Sequence, residues 1–215
     1  MVGLLGKKLG QTQVYDDAGN LVCVTAVQVG PNRVLQCKTE ASDGYNAVQL
    51  GYGAQKPQRV NKPMMGHYVK NNAEPCQKIR EFRDFEISVK PGDEVKAGDC
   101  FTAGDWVDAI GTTKGHGFQG VMKRHGFGGG RATHGAKGWK RRPGSIGQGS
   151  TPGWVRKGQP MPGHMGQSRR TVQNLKIVRV MDDEQVLLIS GAIPGSVGDY
   201  VVIRNAKKKK RAAAA

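Results

Sequence analysis

Twelve basic side chains lie between Gly111 and Arg170: Lys114, Lys123, Arg124, Arg131, Lys137, Lys140, Arg141, Arg142, Arg156, Lys157, Arg169 and Arg170. No carboxylate stands among them, because the chain has no Asp or Glu from Ala109 to Met181. Cations at this density repel one another unless a polyanion neutralises them. Phe118, Phe127, Trp139 and Trp154 are interleaved with the cations and offer flat faces on which bases stack. His116 and His164 add donors for phosphate or further stacking rings. This set implies a nucleic-acid partner, with the basic residues on phosphate and His116, Trp139, Trp154 and His164 as stackers or donors.

Other chemistries fit the same stretch less well. Gly115-His116-Gly117-Phe118-Gln119-Gly120 matches the dinucleotide fingerprint G-x-G-x-x-G and follows a plausible strand, Trp106 to Ile110. That site also needs an acid about 20 residues later for the ribose, and the first acid after Gly120 is Asp182. No G-x-x-x-x-G-K-[ST] phosphate loop exists. His116, His125 and His134 recur every nine residues, but metal sites want a closer pair or a mixture with Cys or carboxylate, and the segment has neither. For the same reason it supplies no carboxylate partner for acid–base or nucleophilic catalysis. The sequence therefore predicts no catalytic residue, no metal and no cofactor.

The elements that must position these side chains divide by composition. Outside the Gly111–Arg170 segment and the five cations of Lys207 to Arg211, 16 basic residues face all 17 acids, a near-neutral body. Of 32 glycines, 17 fall between Gly111 and Gly166, with Pro143, Pro152, Pro160 and Pro162. Apolar residues there are sparse and show no sustained period, so the segment cannot bury a core of its own. An extended, largely irregular arm is expected over 111–170. Flanking it, Gln11 to Tyr15 and Leu21 to Val29 are β-rich runs around the turn Asp16 to Asn20. Arg33 to Cys37 and Ala47 to Tyr52 continue in short strands. Leu175 to Val180 and Gln185 to Ser190 flank a second hairpin turn, and Tyr200 to Ile203 follows a third.

Short strands with frequent turns predict a mostly β chain built on a small β-barrel with the basic extension inserted in it. The expected boundaries are 1–110 for the first part of the barrel body, 111–170 for the arm, 171–206 for barrel completion and 207–215 for a basic tail. Within the first part, 61–86 reads as a short, partly helical insert: Met64, Met65, Tyr68 and Val69 fit one helical face, and Ile79, Phe82 and Phe85 fit a second short element. The longest aliphatic run, Val186 to Ile189, is far below the roughly 20 apolar residues of a membrane helix, and the opening ten residues lack the order of a signal peptide. Cys23, Cys37, Cys76 and Cys100 form no C-x-x-C pair and read as reduced cytosolic thiols, mostly small core residues.

The run Phe101 to Arg124, FTAGDWVDAIGTTKGHGFQGVMKR, resembles the signature of the L-three family of large-subunit ribosomal proteins. Phe101, Asp108, Gly111, Thr113, Gly115-His116-Gly117, Gly120 and Arg124 stand at the family's spacing. GSIGQGSTPG (Gly144 to Gly153), KGQPMPGHMG (Lys157 to Gly166) and GLLGKKLGQTQVY (Gly3 to Tyr15) are similar to further motifs of that family, so the resemblance covers nearly the whole chain. The length looks bacterial or organellar. The resemblance implies a translation-factor-like barrel bound to large-subunit (23S-type) rRNA beside neighbouring large-subunit proteins, cytoplasmic, with an early role in assembly. It implies no enzymatic activity, no membrane and no small-molecule substrate.

It also implies that the arm enters the RNA toward the peptidyl transferase centre. The arm's tip then maps onto Gly144 to Gly158, with Ser145, Gln148, Gly149, Ser150, Pro152 and Trp154 nearest that centre. Some bacterial members carry a methylated glutamine two positions after the tip's Gly-Gln; here that position is Ser150. The competing readings are a nucleic-acid-binding protein acting off the ribosome and a nucleotide-dependent enzyme using the GHGFQG turn.

Overall fold

A computed structural model describes residues 2–16 and 18–209. Asp17 of the expected first hairpin turn, and Lys210 and Arg211 of the basic tail, lie outside the described residues. In chain order the elements are β1 (Gly3–Tyr15), β2 (Leu21–Gln28), β3 (Asn32–Lys38), α1 (Glu40–Asp43), β4 (Ala47–Ala54), α2 (Lys62–Lys70), β5 (Cys76–Arg83), β6 (Glu94–Val95), α3 (Ala97–Cys100) and β7 (Trp106–Thr112). There follow β8 (Gly117–Gln119), α4 (Val121–His125), β9 (Gly163–Met165), β10 (Arg169–Met181), β11 (Val186–Ser190) and β12 (Tyr200–Asn205). The chain divides into two units: one takes the residues up to Thr112 and again from Arg169, the other is Thr113–Ser168.

In the first unit, six strands close into an antiparallel barrel in the order β1, β12, β7, β10, β11, β2. Strand β7 is flanked on both sides, Ile110 standing opposite Val202 of β12 and Thr171 of β10. Side chains alternate between the faces of a strand, and the residues of the shared core follow that period: Val107 and Ala109 on β7, Leu187 and Ile189 on β11, Val201 and Ile203 on β12. Asp108, between the two β7 residues, is buried as well, 3.5 Å from Arg204 and accepting the Asn174 N–H at 3.1 Å. On β11 the intervening Val186 and Leu188 are also buried, in a second cluster with Val24 and the partly buried Val178. Both faces of β11 are therefore covered, which explains why Val186 to Ile189 reads as an unbroken apolar run instead of an alternating one.

Strands β3 to β6 correct the expectation that all of 1–110 begins the barrel. They form a separate four-stranded sheet, ordered β5, β4, β3, β6. The reason lies in strand edges: β2 already pairs with β1 on one side and β11 on the other, so β3 finds no free barrel edge beside it. The two sheets share one core, in which Leu4, Val27 and Ile177 of the barrel join Val34, Val48 and Leu50 of the second sheet. Asn32 sits fully buried between them. Its amide donates to the carbonyls of Leu5 and Val29, each at 3.0 Å, and its Oδ1 accepts the Leu5 N–H at 3.0 Å. A buried amide with this many partners is satisfied, whereas an unpaired one would cost about 1–3 kcal/mol.

Helix α2 begins where Asn61 caps it, its Oδ1 accepting the Met64 N–H at 3.1 Å. Of the four residues expected on its inward face only Tyr68 is buried, while Val69 is 67% exposed. Tyr68 packs with Leu35 and Cys76 on the far face of the second sheet and donates its hydroxyl to the Cys76 carbonyl at 2.9 Å. Ile79 and Phe82 belong to strand β5 and Phe85 follows it. All four cysteines are free thiols; Cys76 and Cys100 are buried and Cys23 is exposed. No helix among the described residues is long and apolar enough to cross a membrane.

Candidate nucleic-acid interface

The second unit, Thr113–Ser168, contains ten of the twelve cations picked out from the sequence, and every one is exposed. Its only buried residue among those described is Val121. With no apolar core, local order comes from the backbone. Thr113 N–H donates to the Ser168 carbonyl at 3.0 Å and His116 N–H to the Met165 carbonyl at 2.9 Å. These bonds lead into the two-stranded ribbon of β8 and β9, where Phe118 stands opposite His164. Both rings are exposed, Phe118 by 75%. Gly166 lies within this stem at a positive φ of 79°, and a Cβ there would collide with the Lys114 carbonyl oxygen, so any other residue forces the two backbone runs apart.

Helix α4 follows the ribbon and ends at Gly126, which adopts a left-handed conformation and returns its N–H to the Met122 carbonyl. Two residues of this turn reach across the unit: Arg124 donates Nη1 to the Met161 carbonyl at 2.6 Å, and His125 donates Nε2 to the same oxygen at 3.0 Å. The sequence reading assigns Arg124 to phosphate; in the structure its guanidinium fastens the 161 region to α4. Nothing in the sequence around Arg124 signals this role, since its acceptor is a backbone carbonyl 37 residues away.

Lys137, Trp139, Lys140, Arg141 and Arg142 surround a 3-10 turn at Trp139–Arg141. Gly130 donates its N–H to the Lys140 carbonyl at 3.2 Å, so this basic cluster is tied to the glycine run Gly128 to Gly130. The Arg142 guanidinium lies 5.4 Å from the Trp139 ring centroid, while the indole stays 55% exposed. Such a pair presents a cation and an adjoining aromatic face together. Lys114, Lys123, Arg131 and Lys157 are exposed, and their own unit contains no acid with which they could pair.

At the segment read as the tip, Ser145, Gln148, Pro152, Trp154 and Arg156 are brought together around an open cavity of about 370 Å³. Ile146, Gly147 and Gln159 complete its lining. Gly149 and Ser150 are exposed and do not line it. Ile146 and Gln159 were missed by the sequence reading, because no periodicity brings a residue before Pro152 and one after Arg156 to a common wall. Trp154 is 61% exposed and hence is not buried against its own unit.

Arg169 and Arg170 stand apart from this set. They are exposed, but they sit on β10 opposite Thr112 and Gly111 and so belong to the barrel unit. The dinucleotide alternative fails on topology. Strand β7 runs between antiparallel neighbours, and Gly117–Gln119 inside the fingerprint is itself a strand paired with β9. A phosphate-cradling turn instead joins a strand of a parallel sheet directly to a helix. His116, His125 and His134 do not converge either: among the described residues no three His, Cys, Asp or Glu side chains assemble as a metal set.

Comparison with known proteins adds an independent line. The profile of the family described as Ribosomal protein L3 matches residues 70–192. A large ribosomal subunit protein uL3 from Akkermansia muciniphila is 51% identical over 211 residues, covering 97% of this chain and 99% of that protein. Proteins of the same name from Brachyspira hyodysenteriae and Legionella pneumophila are 48% and 49% identical, each over 98% of this chain. They cover 96% and 98% of those proteins.

Proposed function

The chain belongs to the ribosomal protein L3 family, and from that premise we propose that it is a structural, non-catalytic constituent of the bacterial large ribosomal subunit, holding rRNA in the cytoplasm. The barrel unit seats on the surface of the particle, and the Thr113–Ser168 unit enters the RNA as an arm toward the peptidyl transferase centre, bound early in assembly. The observation that carries this reading is the ten exposed cations of that unit, with no acid among them and with the exposed Phe118, Trp139 and Trp154 between them. Phosphates neutralise the cations, bases stack on the rings, and the many glycines let backbone approach RNA closely.

Charge separates two parts within the arm. Lys137 to Arg142 give it a strongly cationic stem that binds by phosphate attraction. From Gly144 to Val155 there is no cation, so this tip acts by shape and stacking. Arg169 and Arg170 extend the phosphate-binding set onto the barrel. The test is co-sedimentation of the purified protein with large subunits, and with the isolated large rRNA, through a high-salt cushion. Retention on both is expected; loss from both at salt that leaves other large-subunit proteins bound removes this reading.

A further inference from the structure

The cavity around Trp154 has features that phosphate binding does not require. Its lining joins the apolar Ile146, Pro152 and Trp154, the last 61% exposed, with two amide-bearing residues, Gln148 and Gln159. We infer that this cavity receives a single unstacked RNA base, which lies against Trp154 with its edge on the two glutamines. This rests on the RNA-binding reading above and adds to it the kind of contact made and the residues that make it.

The chemistry selects this occupant over others. An amide offers both a donor and an acceptor and so complements the mixed pattern of a base edge, whereas a phosphate oxygen only accepts. Phosphate alone draws cations, and the cavity has one, Arg156, enough for the nucleotide's own phosphate. An acidic peptide would need several cations at this spot, and a metal ion would need carboxylate, imidazole or thiolate ligands, none of which lines the cavity. The volume of about 370 Å³ is in the range of pockets that take small planar ligands and far below what a duplex fills. Gly149 and Ser150 face solvent outside the lining, so their side chains do not define the pocket.

The experiment uses large subunits reconstituted with the full chain, with Trp154→Ala, or with Gln148→Ala combined with Gln159→Ala. Ultraviolet crosslinking is mapped to peptide and nucleotide, and base-edge reagents are compared with hydroxyl-radical cleavage of the backbone. With the unsubstituted chain, the Trp154 peptide should crosslink to one nucleotide whose base edge is protected. Trp154→Ala should raise the reactivity of that edge roughly tenfold, as expected for loss of one base–aromatic stack, and the glutamine pair variant should raise it through loss of the edge hydrogen bonds. Backbone protection around the Lys137–Arg142 stem should stay unchanged. Unaltered edge reactivity in both variants overturns the inference, as do crosslinks spread along several nucleotides or directed to another protein. Failure of the unsubstituted chain to enter the particle at all instead removes the RNA-binding reading on which the inference stands.

Discussion

The barrel unit and the Thr113–Ser168 unit are held together by different physics. In the barrel unit Leu4, Leu50, Phe101, Ile177 and Ile203 have less than 2% of their surface exposed, and the order of the strands follows from burying them. In Thr113–Ser168 a single buried valine stands beside ten cations, and the chain is organised by backbone bonds, by glycines that let two runs approach, and by Arg124 gripping a carbonyl. Burial of each large apolar side chain stabilises the first unit by about 1.5–3 kcal/mol, a source the second unit nearly lacks. The contrast teaches that one chain can carry a part that folds by excluding water and another part whose cations remain exposed with no acid in their own unit.

The sharpest way to break this contrast is to truncate a buried apolar side chain in each part. Phe101→Ala should lower the stability of the barrel unit by about 3–5 kcal/mol, seen as a fall in the urea midpoint followed by circular dichroism. Val121→Ala should leave that midpoint unmoved, since it lies in the other unit. Equal shifts from the two changes would mean that the units unfold as one.

Charge gives the next effect. If about six arm cations contact phosphate, binding to large rRNA should weaken roughly 10³-fold between about 50 and 200 mM salt. Changing Lys137, Lys140, Arg141 and Arg142 to Gln should reduce that loss to about tenfold, whereas the same change at the exposed Lys56, Arg59, Lys62 and Lys70 of the barrel unit should leave the slope intact. Filter binding across a salt series measures both. Identical slopes for the two sets would assign the RNA contacts to the whole surface and dissolve the distinction.

Excision should have a smaller effect on stability. Thr112 and Arg169 are register partners, so Thr113–Ser168 can be replaced by a two-residue Asn-Gly turn without moving β7 or β10. The shortened chain should unfold cooperatively within about 1 kcal/mol of the full one. A molten or insoluble product would show that the arm unit helps hold the barrel.

The smallest expected effect is a titration confined to the second sheet. Lys38 lies 2.9 Å from Glu81, and Tyr45 donates its hydroxyl to the same carboxylate at 3.0 Å. The Lys38 ammonium, and then Tyr45, hold the Glu81 carboxyl below its ordinary value of 4.5 against the opposing effect of burial. Hydrogen bonds to Tyr45 and Glu81 hold the Lys38 ammonium above its ordinary 10.5. The Glu81 contribution is thus complete above about pH 4.5 and fades as pH falls through the lower folded value. The Lys38 contribution fades only as pH rises beyond about 10.5. Glu81→Gln should lower the urea midpoint slightly at pH 7 and cease to matter once pH has fallen below the lowered folded value; a difference that persists in stronger acid would assign its effect to packing instead.

Composition alone singled out the candidate segment, because charge and glycine content need no partner to be read: an acid-free stretch remains acid-free however it folds. The local sequence also predicted a mostly β chain, since short apolar runs such as Trp106 to Ile110 and Tyr200 to Ile203, and the turns between strands, can be read without knowing their partners. Which strand pairs with which was decided only by tertiary structure. A run such as Arg33 to Cys37 specifies a strand but not its neighbour, and the filled edges of β2 sent it into a second sheet. The placement of Arg169 and Arg170 on the barrel, the fastening of Arg124 to Met161, and the meeting of Ile146 with Gln159 around one cavity are of the same kind. Each joins residues distant in sequence or free of any shared period, and such contacts arise only when the backbone between them has taken its path.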